Sequence, residues 1–258
     1  MIAAGVPDLE FTGERIVPGK TEDALFAEHE ERYLFAGQYV AGKEVLDVAC
    51  GAGIGTDYLR KSGAACCQGF DRDREAIEYA TAAYQNCIFV QGDAAHLSLP
   101  DSSVDVVVSF ETLEHVGDHK EFLLECKRVL RPNGLLICST PNRTIYRWYG
   151  KNPYHLHELS AQEFSNLVAM HFGDLGLFSQ ADRIYPLFVL RLLASRILGF
   201  LKLKGMIKRI TGRSVPAVVM RHEFSAKNGE AICRIRPYRR TWLMEPMYLI
   251  AVGRKISD

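Results

Sequence analysis

The chain has 258 residues, 48% of them hydrophobic, with 31 basic and 31 acidic side chains and a formal net charge of zero. That is enough apolar material for one sizeable core, while the neutral balance supplies no global field favouring nucleic acid or a membrane surface. Seven cysteines, mostly inside predicted strands or helices and without a C-x-x-C pair, argue for reduced thiols and against zinc.

Residues 1–20 show no period and are broken by Gly13, Pro18 and Gly19, which reads as an ordered arm. No basic region leads into an apolar signal core, so the expected location is cytoplasmic. From Asp23 to Val40 the pattern predicts an amphipathic helix, with Leu25, Phe26, Tyr33, Leu34 and Tyr39 apolar and Glu28, Glu30 and Glu31 between them. This helix is expected to cover the mouth of a crevice.

Glu44 to Thr56 reads as a buried strand (Val45, Leu46, Val48) feeding a glycine turn in which Gly51, Gly53 and Gly55 leave no side chains in a ligand's way. Strands follow near 44–49, 65–70, 87–91, 104–110 and 134–140, with helices near 54–62, 73–84 and 118–130. Such alternation means a parallel sheet with right-handed crossovers. It also places Asp47, Asp71, Asp93 and Glu111 at strand ends, where ligands of open α/β sheets bind. Asp71, twenty residues past Gly51, is spaced to meet a ribose diol. Each carboxylate taken alone is equally a turn residue or a surface charge; together they favour a nucleoside site.

Arg131-Pro132-Asn133-Gly134 ends the third of these helices and starts the fifth strand. Ser160 to Phe172 is a predicted helix opened by a capping box, Ser160 with Glu163. A further strand ends near Gln180, and Met247 to Gly253 is the last. Between them, residues 183–240 exceed an ordinary connection, and from Arg183 to Arg221 every formally charged residue is basic. The apolar stretch Tyr185 to Leu203 within it fits an interfacial helix, a lid or a dimer contact. With few aromatics for base stacking, it gives no reason to expect nucleic acid.

Taken together, these motifs resemble the class I S-adenosylmethionine-dependent methyltransferases, in the branch that includes quinone-biosynthesis and sugar or polysaccharide methyltransferases. The likeness runs from Glu44 to Asn142 through four motifs, and Phe11 to Arg15 with His29, Arg32 and Tyr33 are similar to that branch's lead-in. The resemblance implies an α/β, doubly wound, mostly parallel seven-stranded sheet with an antiparallel last strand beside the fifth. It would be one domain: arm and covering helix 1–42, cofactor-binding core 43–182, helical insertion 183–240, last strand 241–258. The implied cofactor is S-adenosyl-L-methionine. Asp71, with Arg72 beside it, would take the ribose hydroxyls, and Asp93 with Ala94 the adenine. The loop carrying Asp47, Ala49, Gly51 and Gly53 would take the methionine end, and Phe110 and Glu111 would close the site. Arg32 either binds the cofactor's carboxylate or lies on a solvated helix face. Ala49 stands where the family usually has glycine, a change that matters if the position needs positive φ.

On the acceptor side, His115 either orients a helix start or touches the acceptor. Asn152 to Glu158 should return over the reacting edge. If that segment is extended, His155 and His157 point the same way and Glu158 orients one of them. His157, His155 and His115 are therefore the candidates for a general base, against ordinary loop packing. No metal is expected, because two histidines and one carboxylate in this loop show no fourth partner. The implied reaction is O-methylation of a small-molecule, glycan or lipid-linked acceptor, with peripheral membrane contact or a homodimer through 183–213. Two other readings compete: a nicotinamide dehydrogenase, whose G-x-G-x-x-G differs from the G-x-G-x-G here, and a noncatalytic cofactor-binding module.

Overall fold

The structure, a computed structural model, describes residues 6–13, 15–148, 152–184, 190, 234–239 and 244–256. In chain order the elements are α1 (Asp23–Gly37), β1 (Glu44–Val48), α2 (Ile54–Lys61), β2 (Cys66–Asp71), α3 (Arg74–Ala83), β3 (Ile88–Gln91) and β4 (Val104–Ser109). A single 3-10 turn (Leu113–His115) precedes α4 (His119–Val129), β5 (Leu130–Pro141), α5 (Arg143–Tyr146), α6 (Ala161–Ala169), β6 (Gly173–Ile184), β7 (Arg236–Pro237) and β8 (Met244–Arg254).

The sheet runs β3-β2-β1-β4-β5-β8-β6-β7. The first five strands in that order pair in parallel, and β8 enters antiparallel between β5 and β6. The antiparallel strand beside the fifth is thus where the sequence places it. The expected count of seven strands is one short: β7 is a two-residue strand on the outer edge of β6. Strand alternation divides the core into two layers. Leu46 and Val48 of β1 pack with Phe122 and Leu123 of α4 and Phe164 and Val168 of α6. Val45 joins Tyr33, Ala36 and Val40 of the α1 region, Leu59 of α2 and Ile250 of β8.

Helix starts are written in the sequence. Asp73 accepts from Ala76 N to cap α3, Asp118 caps α4, and Ser160 and Glu163 form the full capping box of α6. α1 departs from its simple amphipathic reading: Leu34 is exposed, whereas Glu28 and Arg32 are buried beside Tyr33 and Ala36. The expectations for the 183–240 insertion, including membrane or dimer contact through 183–213, lie almost entirely outside the described residues. Among the described residues, no helix is long and apolar enough to cross a membrane.

Candidate functional site

Every parallel strand ends on one edge of the sheet, and there a cleft of about 1270 Å³ opens between the glycine turn, the arm, α1 and the loops after β4 and β5. Its first half is organised by backbone donors. Asp71 accepts from Gly51 N at 2.8 Å and from Asp73 N at 2.9 Å, so its carboxylate braces the turn against the start of α3. Asp73 in turn holds Arg15 at 2.6 Å and draws the arm over the turn. Arg72, Asp93, Ala94 and Phe110 also line the cleft, and Asp93 accepts from Ala95 N at 2.9 Å on an exposed loop.

The three glycines do not share one task. Gly51, at φ +53, has open space where a side chain would be, apart from Arg15 Cβ at 3.9 Å. At Gly53, φ +79, a Cβ would come within 2.6 Å of Ala80 and 2.8 Å of the Phe89 ring, and at Gly55 it would fall 1.9 Å from the Tyr33 ring. Only Gly51 is empty for a ligand; the other two are empty for α3, β3 and α1. Ala49 does adopt positive φ, at 60°, so an L side chain sits where glycine would be unstrained.

Asp47 is fully buried beneath the loop and does not line the cleft. It accepts from Thr56 Oγ1 at 2.7 Å and from Tyr33 Oη at 3.1 and 3.2 Å, tying α1 and α2 together. Burial raises its pKa to about 7, against the lowering effect of those two hydroxyls.

The second half of the cleft is rich in buried polar groups. Arg32 is 1% exposed, which removes the solvated-face alternative. It donates to Gln180 Oε1 at 2.6 Å, contacts His29 Nδ1 at 3.1 Å and stacks 4.5 Å over the Tyr248 ring. Gln180 Nε2 donates to the Glu28 carbonyl at 2.8 Å, so α1 is anchored on β6. Glu111, at φ 54, exchanges hydrogen bonds with Ser139 at 3.1 and 2.6 Å. Glu114 is buried, accepts from Thr140 Oγ1 at 3.2 Å, and its carbonyl takes Leu156 N at 2.7 Å, which seats the 152–158 loop on the 3-10 turn. Burial first, then the charge of Glu111, pushes the Glu114 pKa well up.

The two loop histidines part company. Asn152 turns the chain, its carbonyl accepting from His155 N at 3.2 Å, so the segment is not extended and the expected common direction fails. His155 lies in the cleft, 5.1 Å from the His115 ring and 2.8 Å from Glu158. His157 is exposed, stands 5.8 Å from His119 and does not line the cleft. Sequence reasoning missed Glu28, Glu114, Tyr146 and Tyr248 as site residues. Tyr146 lies on α5, which no pattern announced, and its hydroxyl meets that of Tyr248 on β8 at 3.1 Å. Glu114 had a legible signal, since Glu111, Glu114 and His115 stand at one-turn spacing after a strand.

A doubly wound sheet with acidic residues at the ends of successive strands and an open glycine turn defines a Rossmann-like, nucleoside-binding α/β protein. Residues 46–138 match the family described as "Methyltransferase domain". A probable S-adenosylmethionine-dependent methyltransferase of Mycolicibacterium smegmatis is 40% identical over 164 residues, covering 62% of this chain and 63% of that protein. A ubiquinone biosynthesis O-methyltransferase of Haemophilus ducreyi is 36% identical over 113 residues, 40% of this chain and 48% of the relative. The chain thus spans less than two thirds of the length of these curated relatives. The crystal structure of a SAM-dependent methyltransferase from Thermotoga maritima shares the fold, with a TM-score of 0.60 at 15% identity over 90% of this chain and 92% of the other. Residues 46–138 thus carry the methyltransferase domain of the class I S-adenosylmethionine-dependent methyltransferases.

The residues present fit that cofactor. Gly51 leaves a cradle that a Cβ would fill, Asp71 stands at the second strand end, and among the described residues Arg15 Nη1 and Arg32 Nε are buried donors without a partner, available to an anionic group.

Proposed function

We propose that this protein transfers the methyl group of S-adenosylmethionine to a hydroxyl oxygen of a small-molecule, glycan or lipid-linked acceptor. The observation that carries this reading is the convergence of Glu114, His115 and His155 in the cleft beyond the glycine turn. A hydroxyl, unlike a neutral amine, must lose its proton as it attacks, and this cluster is built to take it. The relationship to an O-methyltransferase of ubiquinone biosynthesis supports the same acceptor atom.

In this reading Asp71 and Asp93 hold the nucleoside, Gly51 lets it approach the backbone, and Arg15 and Arg32 offer donors to the carboxylate of the methionine end. When bound, the cofactor supplies an electrophilic methyl: the new O–C bond forms as the C–S bond breaks, and the electron pair stays on sulfur. The chain's own contribution is positioning. Glu114 docks the 152–158 loop, Glu158 orients His155, and Tyr146 and Tyr248 wall the acceptor side, so the reactants meet with little orientational entropy left to lose. Cys50, Cys66, Cys67, Cys87, Cys126 and Cys138 are free thiols, which suits the reducing cytoplasm.

The experiment is incubation with methyl-labelled donor and a panel of hydroxylated sugars, quinols and lipids, followed by locating the label. O-methyl product is expected, and His155→Gln should lower turnover by about 10²–10⁴ with donor affinity intact. Label appearing on nitrogen or carbon alone refutes the hydroxyl assignment.

A further inference from the structure

We propose that residues 8–20 form a gate across the glycine turn, latched to α3 by the ion pair of Arg15 with Asp73, and that the cofactor enters and its demethylated product leaves when this latch opens. The segment is a loop closed at its base. Lys20 Nζ donates to Asp8 Oδ1 at 2.6 Å and to the Leu9 carbonyl at 2.9 Å. Lys20 N and Thr21 N turn back onto the Val17 carbonyl at 3.1 and 3.0 Å, and Thr21 Oγ1 takes Val17 N at 2.8 Å. Compact surface loops whose ends meet in this way are frequently functional.

The legs of the loop and its tip are held differently. Leu9 and Val17, one on each leg, are 1% and 2% exposed and pack with Ala52 of the glycine turn and Tyr79 of α3. Lifting either would expose apolar surface, so the legs are fixed. The tip between them, with Thr12, Gly13, Arg15 and Ile16, lines the cleft. Arg15 Nη2 ties it to Asp73 Oδ2 at 2.6 Å, with 17% and 35% of the two side chains exposed. A partly wet pair is weak, which suits a latch. Gly13, at φ +90, has nothing within 4 Å of the place a Cβ would take, so the tip can bend there without disturbing a neighbour. Ile16 borders a recess of about 40 Å³ against Phe26, Tyr33 and Ile54; its seat is loosely filled.

Position makes the loop a gate. Arg15 Cβ stands 3.9 Å from the point that a Gly51 Cβ would occupy, and Gly51 N donates to Asp71, two residues before the latch residue Asp73. The arm therefore crosses above the stretch from Gly51 to Asp71. The proposal rests on the placement of the cofactor along that stretch given above. Arg15 Nη1 is buried and has no partner among the described residues, so an anionic group of the cofactor beneath it makes a contact that exists only with the arm down. Binding then favours closure, and opening paces release.

The test follows exchange of radiolabelled S-adenosylhomocysteine on the full chain, with association and dissociation rates measured separately. Asp73→Asn keeps the oxygen that caps α3 but removes the charge that holds Arg15; Gly13→Val strains the tip where no side chain is touched. Both should raise association and dissociation together, by about fivefold, and leave the affinity nearly unchanged. Arg15→Ala should raise dissociation further, because it loses the ligand contact as well, and Arg15→Lys, which keeps the charge, should restore much of the slow exchange. Wild-type rates in Asp73→Asn and Gly13→Val overturn the gate, as does faster dissociation in Arg15→Ala alone with association unchanged, the mark of a simple ligand contact. Asp71→Ala separates the two levels of the argument. If it leaves affinity unchanged, the cofactor placement fails and the gate with it; if it weakens binding while the latch variants exchange like the wild type, the gate alone falls.

Discussion

Replacing Gly55 with alanine should destabilise this protein, although Gly55 lies in a helix where alanine is ordinarily better by about 1 kcal/mol. An added Cβ would lie 1.9 Å from Tyr33 Cζ and 2.3 Å from both adjacent ring carbons. Ordinary contact begins at 3.4 Å, so the ring must retreat by 3.4 − 1.9 = 1.5 Å. Its hydroxyl now sits 3.1 and 3.2 Å from the two oxygens of Asp47, and a retreat of that size carries it out of reach. Losing a buried hydrogen bond to a carboxylate costs about 1.5–3 kcal/mol, and overpacking another 1–3 kcal/mol or so. Set against the helix gain, the net loss is about 1.5–5 kcal/mol. Urea denaturation of Gly55→Ala, Tyr33→Phe and the double variant is the assay. The double variant should fall short of the summed losses by about 1.5–3 kcal/mol, because both single changes remove the same bond. A stabilised Gly55→Ala, or strict additivity, would refute the claim that Tyr33 is seated on this glycine.

Three further outcomes follow from the site. Asp71→Ala should weaken S-adenosylmethionine and its demethylated product by roughly tenfold to a hundredfold each in calorimetry; unchanged affinity in a folded variant removes its ribose assignment. Asp47 titrates near 3.8 in the unfolded chain and near 7 in the fold. Between those values the folded state holds a proton that the unfolded state has lost, so stability falls as pH rises, by up to about 1.4 kcal/mol per unit, and levels off above the window. Asp47→Asn should flatten that slope in urea titrations at pH 5, 6, 7 and 8, and an undiminished slope would show that another group sets it. Ala49→Gly should relieve about 1–2 kcal/mol of left-handed strain while returning about 0.4–1 kcal/mol through the unfolded chain, for a net gain of about 0–1.6 kcal/mol; a lowered melting temperature would contradict it.

Much of the glycine-turn half of the cleft was legible because its structure is local. A strand, a turn and a carboxylate at the next strand end are each visible within a dozen residues, and parallel order then assembles them. What the sequence does not announce is which neighbour an empty side-chain position is for. Gly53 and Gly55 read like Gly51, yet they serve Phe89 and Tyr33. The opposite half was harder to read, since Arg32, Gln180 and Tyr248 meet across more than two hundred positions of chain. Charged residues on α1 read as solvated until the partners that bury them are known. A turn at Asn152, which one proline and one asparagine hinted at, sends His155 and His157 in different directions, whereas alternation presumes an extended chain.

The position of β8 bears on how such a chain must fold as it is made. It lies between β5 and β6 yet follows both in sequence, and the contact of Asn142 with Glu245 closes across 103 residues. At a synthesis rate of about 5–20 residues per second, β5 is out for several seconds before its neighbour exists. During that interval β5 and β6 flank a gap one strand wide, with two unpaired edges of the kind that invites pairing with other chains. Met247 and Tyr248, which line the cleft, arrive with the strand that fills the gap, so a nascent chain can assemble the glycine-turn half of its cleft well before the opposite half is walled.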